Sequence, residues 1–276
     1  MEQCSPLVVF DKSCFTLDEL QMIAQAYNKY IRNKAVCHSE LKACVPRKQI
    51  KSHKYLNKQE LHKAIQDVLD GICSTEACWT ELPFINHIQD KQVVEKLKYF
   101  TFKPKMPESK YSWLNTKDIN EVLQQHAQLH DYFKFVGALP SDFYKVTTFH
   151  YDQIKYYQKV AIVFNLDTHD QPGSHWVSLL IDNVLKQIEY FDSAGNAPNK
   201  NISMFIKKVK SKTRVNYKVV YNQRVHQKEN NECGIYSIYF IIQRLMGFTF
   251  KDISNNIIHD KTMNKFRNII FRPRVL

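Results

Sequence analysis

The sequence predicts an α+β protein in two parts, a helical part followed by a part that mixes strands and helices. Apolar residues recur at helical spacing through the first hundred residues, where no strand alternation stands out. After Pro140, short β-rich runs alternate with helical patterns. Residues 101–110 carry two prolines without periodicity, so they are expected to form a linker between the two parts.

The predicted helices begin at residues that commonly cap helices. Thr16 precedes an apolar stripe over residues 17–31, and acidic residues follow it in the first turn. Further helices are predicted at residues 57–73, at residues 90–100 and, after the linker, from Asn115 or Thr116 onward.

The mixed part contains a predicted hairpin. Residues 175–182 and 186–193 are both β-rich, and a turn at Asn183 separates them. The other elements expected here are a strand over 159–167, a helix over 201–212, a strand over 214–223 and a helix over 233–247.

The composition is that of an ordinary globular protein, with 44% hydrophobic and 24% charged residues in 276. The first residues are too polar for a secretory signal, and no stretch of about 18 apolar residues exists, so no membrane span is expected. Without a signal, the seven cysteines are expected to be reduced thiols. Neither the C-x4-C pair Cys73 and Cys78 nor the i, i+4 pair His126 and His130 has a complete ligand set, so no metal or other cofactor is predicted.

The net charge of +12 is unevenly distributed along the chain. No acidic residue lies between Ser193 and Lys228, whereas nine basic residues fall in this region. Such a run is either a solvated helix face or a surface that attracts nucleic acid, such as DNA, or an acidic partner. The candidate contacts are Lys207, Lys208, Lys210, Lys212 and Arg214.

Cys233 stands directly before an almost unbroken apolar helix. A buried helix holds its first residue in place, and the unpaired N–H groups of its first turn favour a thiolate. Gly234 is small enough to let a substrate backbone approach. Glu229 and Glu232 are nearby acids that oppose a thiolate, so both must point away from the thiol.

A cysteine nucleophile needs a base, and the base needs a group that orients it. His175 opens one strand of the predicted hairpin and Asp192 closes the other, which brings the two side chains together. The Cys233 backbone N–H and the Gln227 amide are candidate donors to an oxyanion.

The pair His175-Trp176, then Asp192 after "EYF", then Gln227 and Cys233-Gly234 resembles the Ulp1-like cysteine proteases. This family includes the SUMO-specific and adenovirus proteases. The chain resembles in particular the polyprotein-processing protease of African swine fever virus, a large DNA virus, through "GSHWVSLLID", "EYFDSAGNAP" and "HQKENNECGIYSIYF". That viral protease looks to carry Asn at the position of Asp192, whereas the SUMO proteases carry Asp.

The resemblance implies a papain-like Ulp1 core, with a central mixed sheet flanked by helices, over residues 106–276. Residues 1–105 are then an extra helical, arm-like domain that helps to hold the substrate. Cys233 is implied as nucleophile, His175 as base, Asp192 as its orienting group and Gln227 as oxyanion donor. Trp176 and Trp113 are implied as walls of a narrow channel that admits glycines; the alternative is that both are core aromatics. Asn165 lies where the viral protease has an Asn near its site, and a local structural role is its alternative.

The implied function is a viral cysteine endopeptidase that cleaves structural polyproteins after Gly-Gly-type sites during virion maturation. The expected location is the host cytoplasm, including the virus factory, and the virion. One alternative is a deconjugase that removes a ubiquitin-like modifier from host proteins. Another is an inactive protease fold that serves as a scaffold for nucleic acid or a protein partner.

Overall fold

The computed structural model of the chain divides into two compact units, Met1–Lys103 and Pro104–Leu276. The division falls inside the segment 101–110, of which residues 109 and 110 lie outside the described residues. The structure describes residues 3–38, 43–45, 48–51, 57–108 and 111–272.

The first unit is mainly helical. Its helices are α1 (Leu17–Ile31), α2 (Lys58–Leu69), α3 (Glu76–Trp79) and α4 (Lys91–Glu95), with a 3-10 turn at Pro83–His87 and a π turn at Lys96–Phe100. Thr16 caps α1 as predicted, in a capping box with Glu19. The prediction of no strands here is wrong, because β1 (Val36–His38) pairs with β2 (Ala43–Val45). Three-residue strands are too short to display an alternation in the sequence.

The prediction of reduced thiols is also wrong. The six cysteines of the first unit form three disulfides, Cys4–Cys14, Cys37–Cys44 and Cys73–Cys78. Each disulfide closes a loop of ten residues or fewer. Cys233, in the second unit, is the free cysteine. Sequence spacing does not reveal which sulfurs meet, because pairing depends on Cα separations that only the fold sets.

The second unit is built on a five-stranded mixed sheet. In spatial order its strands are β3 (Phe133–Pro140), β4 (Lys159–Asn165), β5 (Trp176–Asp182), β6 (Gln187–Phe191) and β7 (Lys218–Tyr221). The inner pairs are antiparallel, including the predicted β5–β6 hairpin, whereas each edge strand runs parallel to its neighbour. The sequence did not predict β3, which has a bulge between Phe135 and Gly137 that interrupts its alternation.

Helices cover both faces of this sheet, which makes two cores. Ala161 and Val163 of β4 belong to one core, whereas Val160, Ile162 and Phe164 belong to the other, as the two-residue period of a strand requires. The helices are α5 (Thr116–Leu129), α6 (Phe143–Val146), α7 (Lys200–Thr213), α8 (Cys233–Leu245), α9 (Phe250–Asn255) and α10 (Asp260–Ile270), with a 3-10 turn at Tyr151–Tyr156. Residues of α5, α8 and α10 share the first core, and those of α7 lie in the second.

A buried ion network joins α8 to the hairpin. Arg244 of α8 contacts Glu189 of β6 at 2.6 Å and Asp182 of β5 at 3.1 Å, and Lys159 contacts Asp182 at 3.2 Å. Ser178 of β5 also donates to the carbonyl of Ser237 in α8, at 2.9 Å. These contacts fix α8, which begins at Cys233, against β5, which follows His175, and β6, which precedes Asp192. No helix within the described ranges has both the length and the apolar character needed to cross a membrane.

Candidate active site

His175 and Asp192 meet at one end of the β5–β6 hairpin. Ser178 pairs with Phe191 in the ladder, so the residue before β5 and the residue after β6 emerge at the same edge of the sheet. The Nε2 atom of His175 lies 2.6 Å from Oδ1 of Asp192. Asp192 is completely buried, and the His175 side chain is 20% exposed. This arrangement leaves the Nδ1 edge of the imidazole free to face another group.

Asp192 is held by donors in the loop that follows β6 and by Asn222, which follows β7. Its carboxylate accepts from the backbone N–H groups of Ala194 at 2.8 Å and Asn196 at 3.3 Å. The buried Asn222 accepts from the Asp192 N–H at 2.8 Å and donates to its carbonyl at 2.6 Å. Burial opposes the carboxylate, but the bonds and charge of His175, with the loop donors, lower the pKa of Asp192 below its usual range.

Cys233 is the first residue of α8 and is buried. Burial disfavours the imidazolium form of His175, but hydrogen bonds and charges from both Asp192 and Cys233 outweigh burial and raise the pKa of His175 to about 9. The imidazole is therefore stabilised as a cation at neutral pH. This is the electrostatic arrangement that a thiolate nucleophile requires.

Gln227 lies in the connection that leads to the nucleophile. Its Oε1 accepts from the Ser193 hydroxyl at 2.7 Å, and its Nε2 donates to the carbonyl of Glu229. The backbone N–H groups of His226 and Gln227 both donate to the Ser193 carbonyl, at 2.8 and 2.9 Å. The residue after Asp192 thus anchors both the backbone and the side chain of Gln227, and one N–H of the amide remains for a ligand.

Of the two acids near the nucleophile, one has partners for its carboxylate and the other is exposed to solvent. The carboxylate of Glu232 is buried and accepts from Asn264 at 2.8 Å and from Arg267 at 2.9 Å. Glu229 is exposed, and its N–H donates to Asp260 at 3.1 Å.

One face of α10 holds the segment 227–232. Asp260, Asn264 and Arg267 are spaced i, i+4 and i+7, so they project from the same side of the helix. Asp260 accepts from the backbone of Lys228 and Glu229, and Arg267 donates to the Asn231 carbonyl at 3.0 Å as well as to Glu232. All three are at least nine-tenths buried. The segment between Gln227, the candidate oxyanion donor, and Cys233, the candidate nucleophile, is therefore anchored to α10.

The three residues predicted to contact substrate have different surroundings. Trp176 is 7% exposed, and its indole N–H donates to the Leu114 carbonyl at 2.7 Å. Trp113 is 50% exposed, and its indole N–H lies 3.3 Å from Oδ1 of Asn231, two residues before the nucleophile. Asn165 accepts from the backbone of Asp167 and Ser174, so it holds the loop that leads to His175. Of the three, Trp113 presents the most surface beside the site.

Gly234 has a different role from the predicted one. A Cβ at this position would lie 3.0 Å from Cβ of Leu114 and 3.2 Å from its Cγ and Cδ1. The space above the glycine is therefore filled by Leu114 rather than by a substrate backbone. Glycine is needed here because α8 packs closely against the segment that precedes α5.

The five candidate DNA contacts lie on α7 and at its C-terminal cap. Lys207, Lys212 and Arg214 are exposed, and Nζ of Lys208 lies 4.8 Å from the ring centre of Tyr144. Within the described ranges, none of the five takes part in an ion pair. They form a basic surface on the opposite side of the sheet from α8.

The sequence did not predict the residues that hold the site together. They are Ser193, Asn222, Asp260, Asn264 and Arg267. Ser193 could have been suspected from its place directly after Asp192. A second signal lay in α10, where the polar residues Asp260, Asn264 and Arg267, spaced i, i+4 and i+7, occupy one face of an amphipathic helix.

Comparisons with known proteins identify the family of the chain. Residues 86–273 match the Ulp1 protease family, C-terminal catalytic domain. A thiol protease of Acanthamoeba polyphaga mimivirus is 32% identical over 295 residues, covering 99% of this chain and 94% of that protein. A cysteine protease of African swine fever virus is 28% identical over 231 residues, covering 72% of this chain and 83% of that protein.

The fold is also that of a solved viral protease. The crystal structure of the African swine fever virus protease aligns with a TM-score of 0.67 and 21% sequence identity, covering 99% of this chain and 96% of that one. The predicted Ulp1-like fold, a mixed sheet flanked by helices and preceded by further helices, is confirmed. The chain belongs to the Ulp1 protease family and is a cysteine protease of the type found in these large DNA viruses.

Proposed function

We propose that the protein is an endopeptidase that cleaves viral structural polyproteins after Gly-Gly-type sites during virion maturation. The observation that carries the proposal is the pairing of His175 with the buried carboxylate of Asp192, together with the free thiol of Cys233, which also raises the pKa of His175. The similar proteases of two large DNA viruses favour a viral substrate. The proposal implies that the enzyme works in the host cytoplasm, including the virus factory, and in the virion.

The chemistry follows from the positions of these groups. The Cys233 thiolate attacks the carbonyl carbon of the scissile amide, and the negative charge develops on the carbonyl oxygen. The Cys233 N–H at the start of α8 and the remaining N–H of Gln227 donate to that oxygen. The imidazolium of His175 then gives its proton to the leaving amine. In the second half of the reaction, neutral His175 takes a proton from water, and the resulting hydroxide attacks the thioester formed with Cys233. The Cys233 thiolate then leaves, and the peptide acid is released.

Burial of the thiol supports the proposed preference for glycine. Cys233 and Trp176 are both buried, and the half-exposed Trp113 lies beside Asn231. A buried thiol favours a substrate with little side-chain volume next to the scissile bond. Two glycines satisfy that requirement because they have no Cβ.

Cleavage of a Gly-Gly-X peptide tests this proposal. We expect the wild type to cut after the second glycine and an Ala-Ala-X peptide to be cut far more slowly. Cys233→Ser and His175→Ala should abolish cleavage, whereas His150→Ala, a matched change at an exposed histidine, should leave the rate unchanged. Normal cleavage by either site variant would exclude the assigned nucleophile or base.

A deconjugase is the second candidate. Relatives from African swine fever virus carry the name SUMO-1 cysteine protease, which favours it. Parallel incubation with a SUMO conjugate and with the virus's own structural polyproteins, followed by mass spectrometry, separates the two activities. An inactive scaffold is disfavoured because the nucleophile, base, orienting carboxylate and oxyanion amide are all present.

DNA is proposed as a further partner through the exposed cations of α7. Neutralising phosphates with lysines makes binding strongly dependent on salt. We expect Lys207→Glu with Lys212→Glu to weaken DNA binding and any stimulation by DNA. The control with the same change of charge is Lys261→Glu with Lys265→Glu, on the exposed face of α10. An equal effect of both pairs would count against a specific surface.

A further inference from the structure

Ser193 lies between the two halves of the site, directly after Asp192 and against Gln227. We propose that Ser193 is a positioning residue for the oxyanion donor, and that its hydroxyl holds the Gln227 amide in the orientation that leaves one N–H facing the reacting carbonyl. This inference rests on the proposed role of Gln227. Ser193 does not touch the substrate in this scheme, so it acts through the amide alone.

The first step is the orientation of the amide. An amide side chain has one acceptor oxygen and two N–H groups, and its two ends have almost the same shape. In the structure the Ser193 hydroxyl donates to Oε1 at 2.7 Å, and Nε2 donates to the Glu229 carbonyl. In the flipped orientation, Oε1 would face the Glu229 carbonyl oxygen, and two acceptors would meet without a proton between them. The Glu229 carbonyl, which can only accept, therefore selects this orientation. The Ser193 hydroxyl anchors the amide in it, which leaves one N–H free.

The second step is burial. Ser193 is 2% exposed, so its hydroxyl has little access to competing water. A buried hydroxyl needs a partner, because an unmade hydrogen bond there is costly. Oε1 of Gln227 is that partner, and the bond between them is therefore an obligatory feature of the folded site.

The third step is the backbone. The Ser193 carbonyl accepts from the N–H groups of both His226 and Gln227, so one residue fixes the main chain and the side chain of the donor. The carboxylate that orients His175 belongs to the preceding residue, whose main chain is held by Asn222. The base and the oxyanion donor thus share one anchored segment. Ser193→Ala removes the hydroxyl and keeps the carbonyl, so the variant isolates the orientation of the amide.

Kinetics in two backgrounds test this role. Removing an oxyanion donor costs about 10²–10³-fold in kcat, so Gln227→Ala should fall in that range. We expect Ser193→Ala to lower kcat by about tenfold with little change in KM, because the amide then spends time in orientations that do not donate. In the Gln227→Ala background the same change should have no further effect, since no amide remains to orient. Equal losses in both backgrounds, or no loss in the wild type, would overturn the proposal.

A second measurement does not depend on the substrate. The side-chain amide of Gln227, identified by the NMR signals that Gln227→Ala removes, should be rigid in the wild type and mobile in Ser193→Ala. Ser193→Thr, which keeps the hydroxyl, should restore both the rigid signals and most of kcat. Ser203→Ala, a change at a serine on α7, should alter neither readout. A Gln227 amide that is equally rigid without the Ser193 hydroxyl would refute the inference.

The two measurements separate this inference from the proposed function. If the wild type fails to cleave Gly-Gly-X peptides, the proposed substrate is wrong, and the NMR comparison still decides whether Ser193 orients the amide. If Gln227→Ala keeps full activity on a peptide that the wild type cleaves, the amide is not the oxyanion donor and the inference fails with it.

Discussion

Glu232 and Arg267 form a buried ion pair directly beside the nucleophile, with Oε2 of Glu232 2.9 Å from Nε of Arg267. Arg267 is completely buried, and its Nη2 also donates to the carbonyls of Ser112 and Asn231. A carboxylate next to a nucleophilic thiol would otherwise oppose the thiolate. Arg267 compensates the charge of the Glu232 carboxylate, and the pair connects α10 to the residue that precedes α8.

Arg267→Met should destabilise the protein strongly. The change leaves Glu232 as an uncompensated buried charge, which costs about 3–5 kcal/mol of unfolding free energy. Glu232→Gln with Arg267→Met should be less destabilising than the sum of the two single changes, because the double variant carries no buried charge there. Urea denaturation measures both effects. Lys117→Met, which removes an exposed pair with Glu121, should change stability by less than about 0.5 kcal/mol. A similarly small loss in Arg267→Met would contradict the assigned role.

Asp192→Asn should narrow the pH range of activity from the alkaline side. His175 has a raised pKa of about 9, so its protonated form is present below that pH and is lost as pH rises through it. Removing the Asp192 charge lowers that pKa, and the alkaline limb of kcat/KM should move to lower pH. The rate at neutral pH should fall by about 10- to 10²-fold, since an amide oxygen still accepts from Nε2. The exposed change Asp131→Asn is the control, and an unmoved alkaline limb would argue against the pairing.

Alkylation should distinguish Cys233 from the other six cysteines. Without reductant, iodoacetamide should add one group to the folded protein, at Cys233, because the remaining sulfurs are paired. After unfolding and reduction, all seven should react. Peptide mapping by mass spectrometry locates the adducts. Cys233→Ser should take up none in the folded state, and labelling of any cysteine in the first unit would show that its disulfide is absent.

Gly234→Ala should reduce stability although alanine is the better helix former. The added methyl would meet Leu114 at 3.0–3.2 Å, and such overpacking costs about 1–3 kcal/mol. Leu114→Ala removes Cγ and Cδ1 of that contact, so the double variant should lose less than the two single changes together. Thermal unfolding of the four proteins measures the coupling. A stabilised Gly234→Ala would mean that the helix does not pack as described.

Local patterns in the sequence located most of the elements that carry the site. The spacing of apolar residues predicted α1, α2, α5, α7 and α8, and it predicted the hairpin whose ends bear His175 and Asp192. Periodicity reports which face of an element is buried, and it is strong in long, regular elements. It failed for β3, where a bulge breaks the alternation, and for β1 and β2, which are too short to show one.

By itself, the sequence determined the family, the order of the parts and the residues proposed for the chemistry, because these depend on motifs and on short-range periodicity. Only the tertiary structure decided which distant groups meet. It paired the six cysteines of the first unit, placed Leu114 over Gly234, and brought Arg267 to Glu232 and Ser193 to Gln227. The last three contacts join residues 34 to 120 positions apart and leave no local pattern, since they depend on how the second unit packs around its sheet. The cysteine pairs are only 5 to 10 positions apart, but their pairing depends on Cα separations that the fold sets.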